Sequence, residues 1–313
     1  MAISLLKRLV RSLAVLLVVT FATFCLMFGN GPGIARAVLG MNARDADVQR
    51  KVVTLGLDQP LLVQYGKWLG SLFHGDLGAS FFTGQSVTDA LSTRVPVTLA
   101  LVLITLALTV VLSVLFGVTA AVKGGWVDRV LQFLSVLGTA VPAFIIAIAL
   151  VFTLAVAWRA LPATGYVSPD ISLSGWVKSL TLPVLALLVG SVAGAAAQFR
   201  TAVLDTLGRD FVRTLRARGI SERHIIFRHV LRNSAGPGLT VLSLTTFGLL
   251  GGAVFIEQVF ALPGMGQLAN QAAQTNDVPM VMGTVLVTTV IVLIVNFLGD
   301  LTATLLNPKA RTR

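Results

Sequence analysis

Charged residues are scarce in this 313-residue chain. They make up 12% of the sequence, whereas an ordinary globular domain has about a quarter. Hydrophobic residues make up 55%, and the mean hydropathy is +0.87. A soluble fold of this composition would leave too much apolar surface in water. The composition therefore excludes a conventional soluble domain and indicates that lipid surrounds much of the chain.

Cysteine and histidine are also nearly absent. The single cysteine, Cys25, excludes an intramolecular disulfide. The three histidines are His74, His224 and His229. The last two are five residues apart, a separation that does not place them on one face of an α-helix. We therefore expect no metal site.

Motifs for ATP hydrolysis and for intramembrane catalysis are missing as well. The sequence contains no G-x-x-x-x-G-K-[ST] phosphate loop, since its one Gly-Lys pair, Gly66-Lys67, is followed by Trp68. No histidine or acid lies in the long apolar segments to activate a serine or threonine there, which disfavours an enzyme. The same lack disfavours a secondary transporter, because such carriers usually have ionisable residues within their spans.

The sequence contains several long segments without a charged residue. Six of them contain 21 to 29 residues, and a helix needs roughly 20 apolar residues to cross the hydrocarbon layer. They lie at positions 12–35, 95–122, 130–158, 179–199, 233–256 and 278–299. A seventh, at 258–276, contains Pro263, Gly264 and several amide side chains, which predict an aqueous loop. We therefore predict an all-α membrane protein with six transmembrane helices.

The distribution of Lys and Arg predicts the orientation of these helices. If the N-terminus is cytoplasmic, 16 of the 24 basic residues fall on the cytoplasmic side, and the net charge of +11 lies there entirely. The positive-inside rule therefore favours cytoplasmic N- and C-termini. The basic residues border the spans without interleaved aromatic residues, so we expect an anionic lipid surface rather than nucleic acid as their partner.

We divide the chain into three segments. Residues 1–28 form the N-terminus and the first span, interpreted as an uncleaved anchor because its apolar run is longer than the core of a signal peptide. Residues 29–96 form an external cap of short helices. Residues 97–313 form a five-helix core with a cytoplasmic loop at 200–235.

The cytoplasmic loop has the most informative pattern. Apolar residues at Leu204, Leu207, Phe211 and Leu215 recur at helical spacing and predict one amphipathic helix. Gly219 is expected to end it with a positive φ. Ser221 is then expected to cap a second helix, with Glu222 in its first turn. The pattern alone is equally typical of a solvated hairpin that connects two spans and of a docking surface.

Several sequence motifs resemble the permease subunit of binding-protein-dependent ABC importers, in the dipeptide, oligopeptide and nickel branch. They lie in the family's order along nearly the whole chain: LGLDQPLLVQY at 55–65, HGDLGAS at 74–80, RVPVTLAL at 94–101, LPATGY at 161–166, DFVRTLRARGISERHIIFRHVLRN at 210–233 and GGAVFIEQVFALPGMGQL at 251–268. Two departures are GPGI at 31–34, where a Pro-Gly-Asp-Pro-like turn is usual, and Arg-Thr-Leu at 213–215, where the broader importer loop has Glu-Ala-Ala.

The resemblance implies a type I importer permease with a division of labour among subunits. A homologous second permease would complete the translocation path, two cytoplasmic ATPases would bind ATP and Mg²⁺, and an external binding protein would deliver peptides. This chain itself would bind no cofactor. Its loop would contact the ATPases through Asp210, Arg213, Thr214, Ala217 and Gly219. Nickel chelates or other small solutes are alternative cargoes.

Two residues outside the loop are further candidates. Pro142 lies within the third apolar segment, where proline kinks a helix. The kink would serve either packing or a pivot beside the path. Glu257 is placed at the external end of the fifth span. It would either line the vestibule or lie at the wet membrane interface.

Overall fold

The computed structural model describes residues 2–29, 31–40 and 42–306. About 80% of the chain is helical, and the described residues form no β-strand beyond one isolated bridge between Ala79 and Ser86. The expected all-α class is confirmed.

Thirteen helices follow one another along the described residues. The first four are α1 (Ala2–Phe28), α2 (Gly31–Leu39), α3 (Asp45–Thr54) and α4 (Leu61–Phe73). The middle of the chain contains α5 (Val87–Lys123), α6 (Gly125–Ala140), α7 (Ala143–Leu150) and α8 (Leu173–Leu207). The remainder are α9 (Asp210–Ala217), α10 (Glu222–His224), α11 (Leu231–Val259), α12 (Met265–Thr275) and α13 (Val278–Leu306). Helix α7 continues as a π-helical segment, Val151–Ala157, and a second π-helical segment, Ile225–Val230, joins α10 to α11.

The described residues within 2–98 and 263–293 form one compact unit. Its first core is aromatic: Phe24 is fully buried, stacks on Phe28 with ring centroids 3.9 Å apart and meets the edge of Tyr65. The Tyr65 hydroxyl shares a hydrogen bond with Thr20 Oγ1 at 2.9 Å, so α1 and α4 are joined by both apolar and polar contacts. The short helices expected within residues 29–96 are α2, α3 and α4.

A buried carboxylate organises the rest of this unit. Asp277, 6% exposed, accepts hydrogen bonds from the Ser80 hydroxyl at 2.5 Å and from the Phe81 amide at 3.1 Å. The turn between α12 and α13 is thereby joined to the segment that precedes α5. Helix α13 also approaches α5 closely at Gly283, where a Cβ would lie 2.2 Å from Val87 Cγ1. The segment 258–276, expected to be an aqueous loop, contains the helix α12, which buries Met265, Leu268 and Ala272. As expected, this segment is not among the candidate membrane spans.

The described residues within 99–262 and 294–306 form the second unit, organised around α8. This helix is buried along most of its length and packs against α6, α7 and α11. A Cβ at Gly138 of α6 would lie 2.7 Å from Ala193 Cβ, so only glycine permits this approach. At one end of the same contact, Arg200 of α8 forms a bidentate ion pair with Asp128 in the first turn of α6.

Several helices are long and apolar enough to cross a membrane. In the part of the chain that the structure describes there are four: Val10–Phe28, Val87–Lys123, Leu173–Leu207 and Val278–Gly299. Gly125–Ala140 and Ala143–Ala157, bent by 95°, form a fifth if they make one broken span. The apolar part of α11 is shorter, Leu244–Val259. The six spans, the cytoplasmic termini and the segments 1–28, 29–96 and 97–313 stay predictions.

Candidate functional site

The loop between α8 and α11 is a packed element of the second unit. Its short helix α9 buries one residue completely, Val212, which packs with Phe199 and Val203 of α8 and with Ile225 and Val230. Removing a side chain of this size from water contributes roughly 1.5–3 kcal/mol. The helix is therefore held in place against α8 and the π-helical segment.

The single helix expected from the apolar stripe is wrong. Helix α8 ends at Leu207, and Arg209 is extended, with ψ 149°, before α9 begins at Asp210. The apolar stripe continues across this break, because Phe211 and Leu215 pack against the same apolar cluster as Val212. Periodicity therefore identified the buried face and missed the interruption.

The expected positive φ at Gly219 is confirmed. Its φ is +77°, the Gly219 amide donates to the Arg216 carbonyl at 2.9 Å, and the Ile220 amide donates to the Leu215 carbonyl at 3.2 Å. This pair of hydrogen bonds is the Schellman motif, which ends a helix with glycine in the left-handed region. Ile220 also packs in the same apolar cluster as Leu215, as the motif commonly requires.

An ion pair spans the turn that Gly219 makes. Arg216 donates from Nε to Glu222 Oε1 at 2.5 Å and from Nη2 to Oε2 at 3.2 Å. These hydrogen bonds lower the pKa of the Glu222 carboxyl below its ordinary value of 4.5. Ser221 occupies the N-cap position of α10, but its side chain accepts no capping hydrogen bond, so the expected cap is wrong. Glu222 in the first turn is confirmed.

The residues predicted to contact a partner lie on the exposed side of α9. The side chains of Asp210 and Arg213 are 98% and 77% exposed and lie 3.8 Å apart, and Thr214 and Ala217 are exposed as well. Val212 holds the opposite side against α8. The structure thus brings Asp210, Arg213, Thr214 and Ala217 together on one helix, with Gly219 at its end. Their contact with a partner stays a prediction.

Two histidines beside this loop lie closer than their spacing predicted. The rings of His224 and His229 have centroids 5.8 Å apart. A π-helix forms i→i+5 hydrogen bonds, so residues five apart come to the same face, and the segment between them is π-helical. The expectation that the two histidines do not share a helical face is therefore wrong. No group of three or more potential metal ligands occurs among the described residues.

A groove runs along α8 where this helix faces α11. Its first part has a volume of about 420 Å³ and is lined largely by small residues of α6, α8 and α11, including Gly138, Gly190, Gly194, Gly248 and Gly252. Its second part has a volume of about 480 Å³ and ends at Asp205, Arg209 and Asn233. Both parts share Gln198, Val241 and Leu244 and therefore form one continuous groove.

The groove presents polar side chains along its whole length, in contrast to the apolar exterior of the helices. They are Thr139, Ser191, Gln198, Thr201, Asp205, Thr206, Arg209, Asn233 and Thr245. Sequence reasoning missed this groove. Its signal was the four-residue spacing of Gly190 with Gly194 and of Gly248 with Gly252, since small residues at this spacing let helices approach closely.

Pro142 lies in the wall of the groove, at the break between α6 and α7. Helix α6 ends at Ala140, Val141 is extended with φ −90° and ψ 120°, and α7 restarts after Pro142. Proline disfavours the helical conformation in the residue before it and supplies no amide hydrogen. The expected disturbance at Pro142 is confirmed in position, although it is a 95° break rather than a kink in one helix.

Glu257 lies near the end of α11 and is fully buried, with 0% of the residue exposed. Its carbonyl accepts a hydrogen bond from the Leu262 amide at 2.9 Å, within the turn that closes the helix. The expectation of a carboxylate at a wet interface is therefore wrong for this structure. A role for Glu257 along the path stays a prediction.

Comparison with known proteins identifies the family. Residues 113–312 match the binding-protein-dependent transport system inner membrane component, and residues 1–102 match the N-terminal membrane component of such systems. A peptide transport system permease protein of Brucella abortus is 38% identical over 308 residues, with 98% of each chain covered. The oligopeptide transport system permease protein AppB of Bacillus subtilis is 30% identical over 313 residues, with 99% of each chain covered.

A solved structure supports the same fold. The inward-facing MetNI methionine ABC transporter contains a chain that superimposes with a TM-score of 0.56 at 20% identity, covering 70% of this chain and 97% of that one. The resemblance inferred from the sequence motifs is confirmed. This chain is a multi-pass membrane protein that belongs to the family of inner membrane components of binding-protein-dependent transport systems.

Proposed function

We propose that this chain is one permease subunit of an ATP-driven importer that carries peptides across the bacterial inner membrane. It crosses the membrane six times with both termini in the cytoplasm, and it forms half of the path with a homologous second permease. Two cytoplasmic ATPases bind ATP and Mg²⁺ and supply the energy. An external binding protein delivers the cargo.

One observation carries this proposal: the groove and the loop meet at Arg209. This residue lines the cytoplasmic part of the groove and is also the N-cap residue of α9. Val212 packs α9 against α8, and α8 forms one wall of the groove, so a partner that displaces α9 would displace this wall with it. Hydrolysis outside the membrane can therefore change the shape of the path inside it.

The lining of the groove suits peptides of varied sequence. Hydroxyl and amide side chains can exchange hydrogen bonds with any peptide backbone, because each backbone unit offers one donor and one acceptor. The described lining residues include neither histidine nor cysteine, the side chains that a bare transition metal prefers. Relatives named as peptide permeases over 98–99% of this chain support the same cargo.

The test is reconstitution of the complete transporter in proteoliposomes. Uptake of a radiolabelled dipeptide is measured with the binding protein, with and without ATP, and with ATPases whose phosphate-loop lysine is replaced. We expect uptake only with ATP and intact ATPases. Uptake that continues without ATP, driven by a proton or sodium gradient, would instead establish a secondary transporter.

The topology is tested separately by single cysteines in a Cys25→Ser background. A membrane-impermeant thiol reagent should label Asp76→Cys only from outside and Ala217→Cys only from the cytoplasm, since both positions are exposed. Labelling of both from the same side would contradict the proposed orientation.

A further inference from the structure

We propose that the cytoplasmic end of the groove is a subsite for the charged termini of a short peptide. Asp205 would bind the terminal ammonium group, and Arg209 would bind the terminal carboxylate. This inference rests on the proposed function and specifies which chemical groups of the cargo the permease itself contacts.

The position of the two side chains supports this assignment. Asp205 lies in the last turn of α8, Arg209 directly precedes α9, and both line the part of the groove with a volume of about 480 Å³. They are four residues apart, with the chain still helical at Gly208, which corresponds to about 6 Å along a helix axis. Two extended residues span at most about 7 Å. The rise between the two backbone positions is thus comparable to the length of a dipeptide.

Both charges are available to a ligand. Asp205 and Arg209 are exposed, and within the described residues their side chains form no ion pair or hydrogen bond. The charged residues on either side of them in the sequence have partners of their own: Arg200 pairs with Asp128, and Asp210 lies 3.8 Å from Arg213. The electronegative C-terminal end of α8 also favours an ammonium group beside Asp205.

The uncharged part of the lining can hold the peptide bond between these termini. Asn233 donates from its side-chain amide to the His229 carbonyl at 2.7 Å, which leaves its Oδ1 atom as an acceptor. Gln198 is exposed in the groove and offers both a donor and an acceptor. These groups bind the backbone and not the side chains of the cargo, so the subsite selects free termini and tolerates variation in sequence.

Terminally blocked cargo separates this proposal from a general electrostatic effect. Uptake of a free dipeptide, its N-acetyl form and its C-terminal amide is measured for wild type, Asp205→Asn and Arg209→Gln. Each rate is expressed as a ratio of variant to wild type for the same cargo. Because each ratio compares one cargo with itself, any preference of the binding protein for that cargo cancels.

We expect Asp205→Asn to lower uptake of the free dipeptide about tenfold, since charge-assisted hydrogen bonds are the stronger class. It should leave uptake of the N-acetyl form nearly unchanged. Arg209→Gln should show the corresponding loss with free dipeptide and little effect with the amide. Arg232→Gln, an exposed change of the same charge outside the groove lining, is the matched control and should not discriminate among the cargoes.

Two outcomes would overturn the subsite. In one, each variant lowers uptake of free and blocked peptides equally, which would indicate a structural or general electrostatic effect. In the other, neither variant changes uptake of any cargo. Both outcomes leave the permease function intact, because wild-type uptake persists. The absence of ATP-dependent peptide uptake by the wild type would instead contradict the proposed function.

Discussion

Replacement of Gly219 is the sharpest local test of the coupling role proposed for the loop between α8 and α11. The residue has φ +77°, and a Cβ added there would meet no atom within 4 Å. Steric collision therefore contributes nothing, and the whole penalty comes from the left-handed backbone conformation. That conformation costs a non-glycine residue roughly 1–2 kcal/mol, and a β-branched one more. Asparagine tolerates this conformation better than alanine does.

This strain should appear as a loss of coupling. A penalty of 1–2 kcal/mol corresponds to a factor of about 5–30 in an equilibrium between the native and a relaxed loop. We therefore expect peptide uptake to be highest for Gly219→Asn, lower for Gly219→Ala and lowest for Gly219→Val, with a loss of about tenfold or more for valine. The permease should remain inserted in the membrane, because no packing contact is lost.

The matched control lies in the same loop. Gly208 has φ −76°, and an added Cβ would meet its nearest neighbours at an ordinary 3.7 Å. Gly208→Ala should therefore behave like the wild type or stabilise the chain slightly. The assay compares peptide uptake with ATP hydrolysis stimulated by loaded binding protein. Equal and normal activity of Gly208→Ala and Gly219→Ala would refute the strain argument.

Three further predictions concern other parts of the chain. Pro142→Ala should preserve assembly but lower peptide uptake, because it permits α6 and α7 to join into one helix. The control Pro96→Ala, in a helix that is already continuous, should have little effect, and equal uptake by the two variants would reject a pivot at Pro142. Glu257→Ala should lower the free energy of unfolding, measured by thermal unfolding, by about 1–3 kcal/mol, which is more than Glu257→Gln does. Glu257→Cys should resist a membrane-impermeant thiol reagent, and rapid labelling would contradict the burial of residue 257. The Arg216–Glu222 ion pair should stabilise the loop above pH 4.5 and lose this effect as the pH falls through the lowered pKa of Glu222. Hydrogen-exchange protection around Gly219 should therefore decrease in acid for the wild type but not for Glu222→Gln.

The loop shows how far sequence reasoning reaches. Gly219, its positive φ and the acidic first turn of α10 were predictable, because local chemistry sets a helix end: only glycine adopts this conformation without strain. The break at Gly208-Arg209 was not predictable, since the apolar period continues across it. The approach of His224 to His229 was also missed, because a π-helical segment changes the period, and nothing in the residue types announces it.

In the membrane core, the sequence predicted the positions of the helices well and their packing poorly. Charge-free segments located most of the long helices, because the hydrocarbon layer excludes charge wherever it occurs. The same rule misjudged Glu257, which lies buried at the end of α11, and α12, whose polar residues suggested a loop although one side of the helix is buried. The groove escaped notice because it depends on which faces of α8 and α11 meet, and that is a property of packing.

The most direct test of the account is peptide-dependent ATP hydrolysis by the purified complex that carries Arg213→Glu with Ala217→Asp. Both positions are exposed on α9, and Val212 and Gly219 remain, so the loop keeps its fold while the surface proposed to touch the ATPases changes sign. Lys178→Glu, an exposed reversal on the side proposed to be external, serves as the control. We predict that the double variant still docks the loaded binding protein, that its uptake collapses, and that its ATPases dissociate or hydrolyse ATP without responding to peptide. Normal uptake together with full stimulation of hydrolysis by peptide would contradict the assignment of α9 as the element that couples the path to ATP.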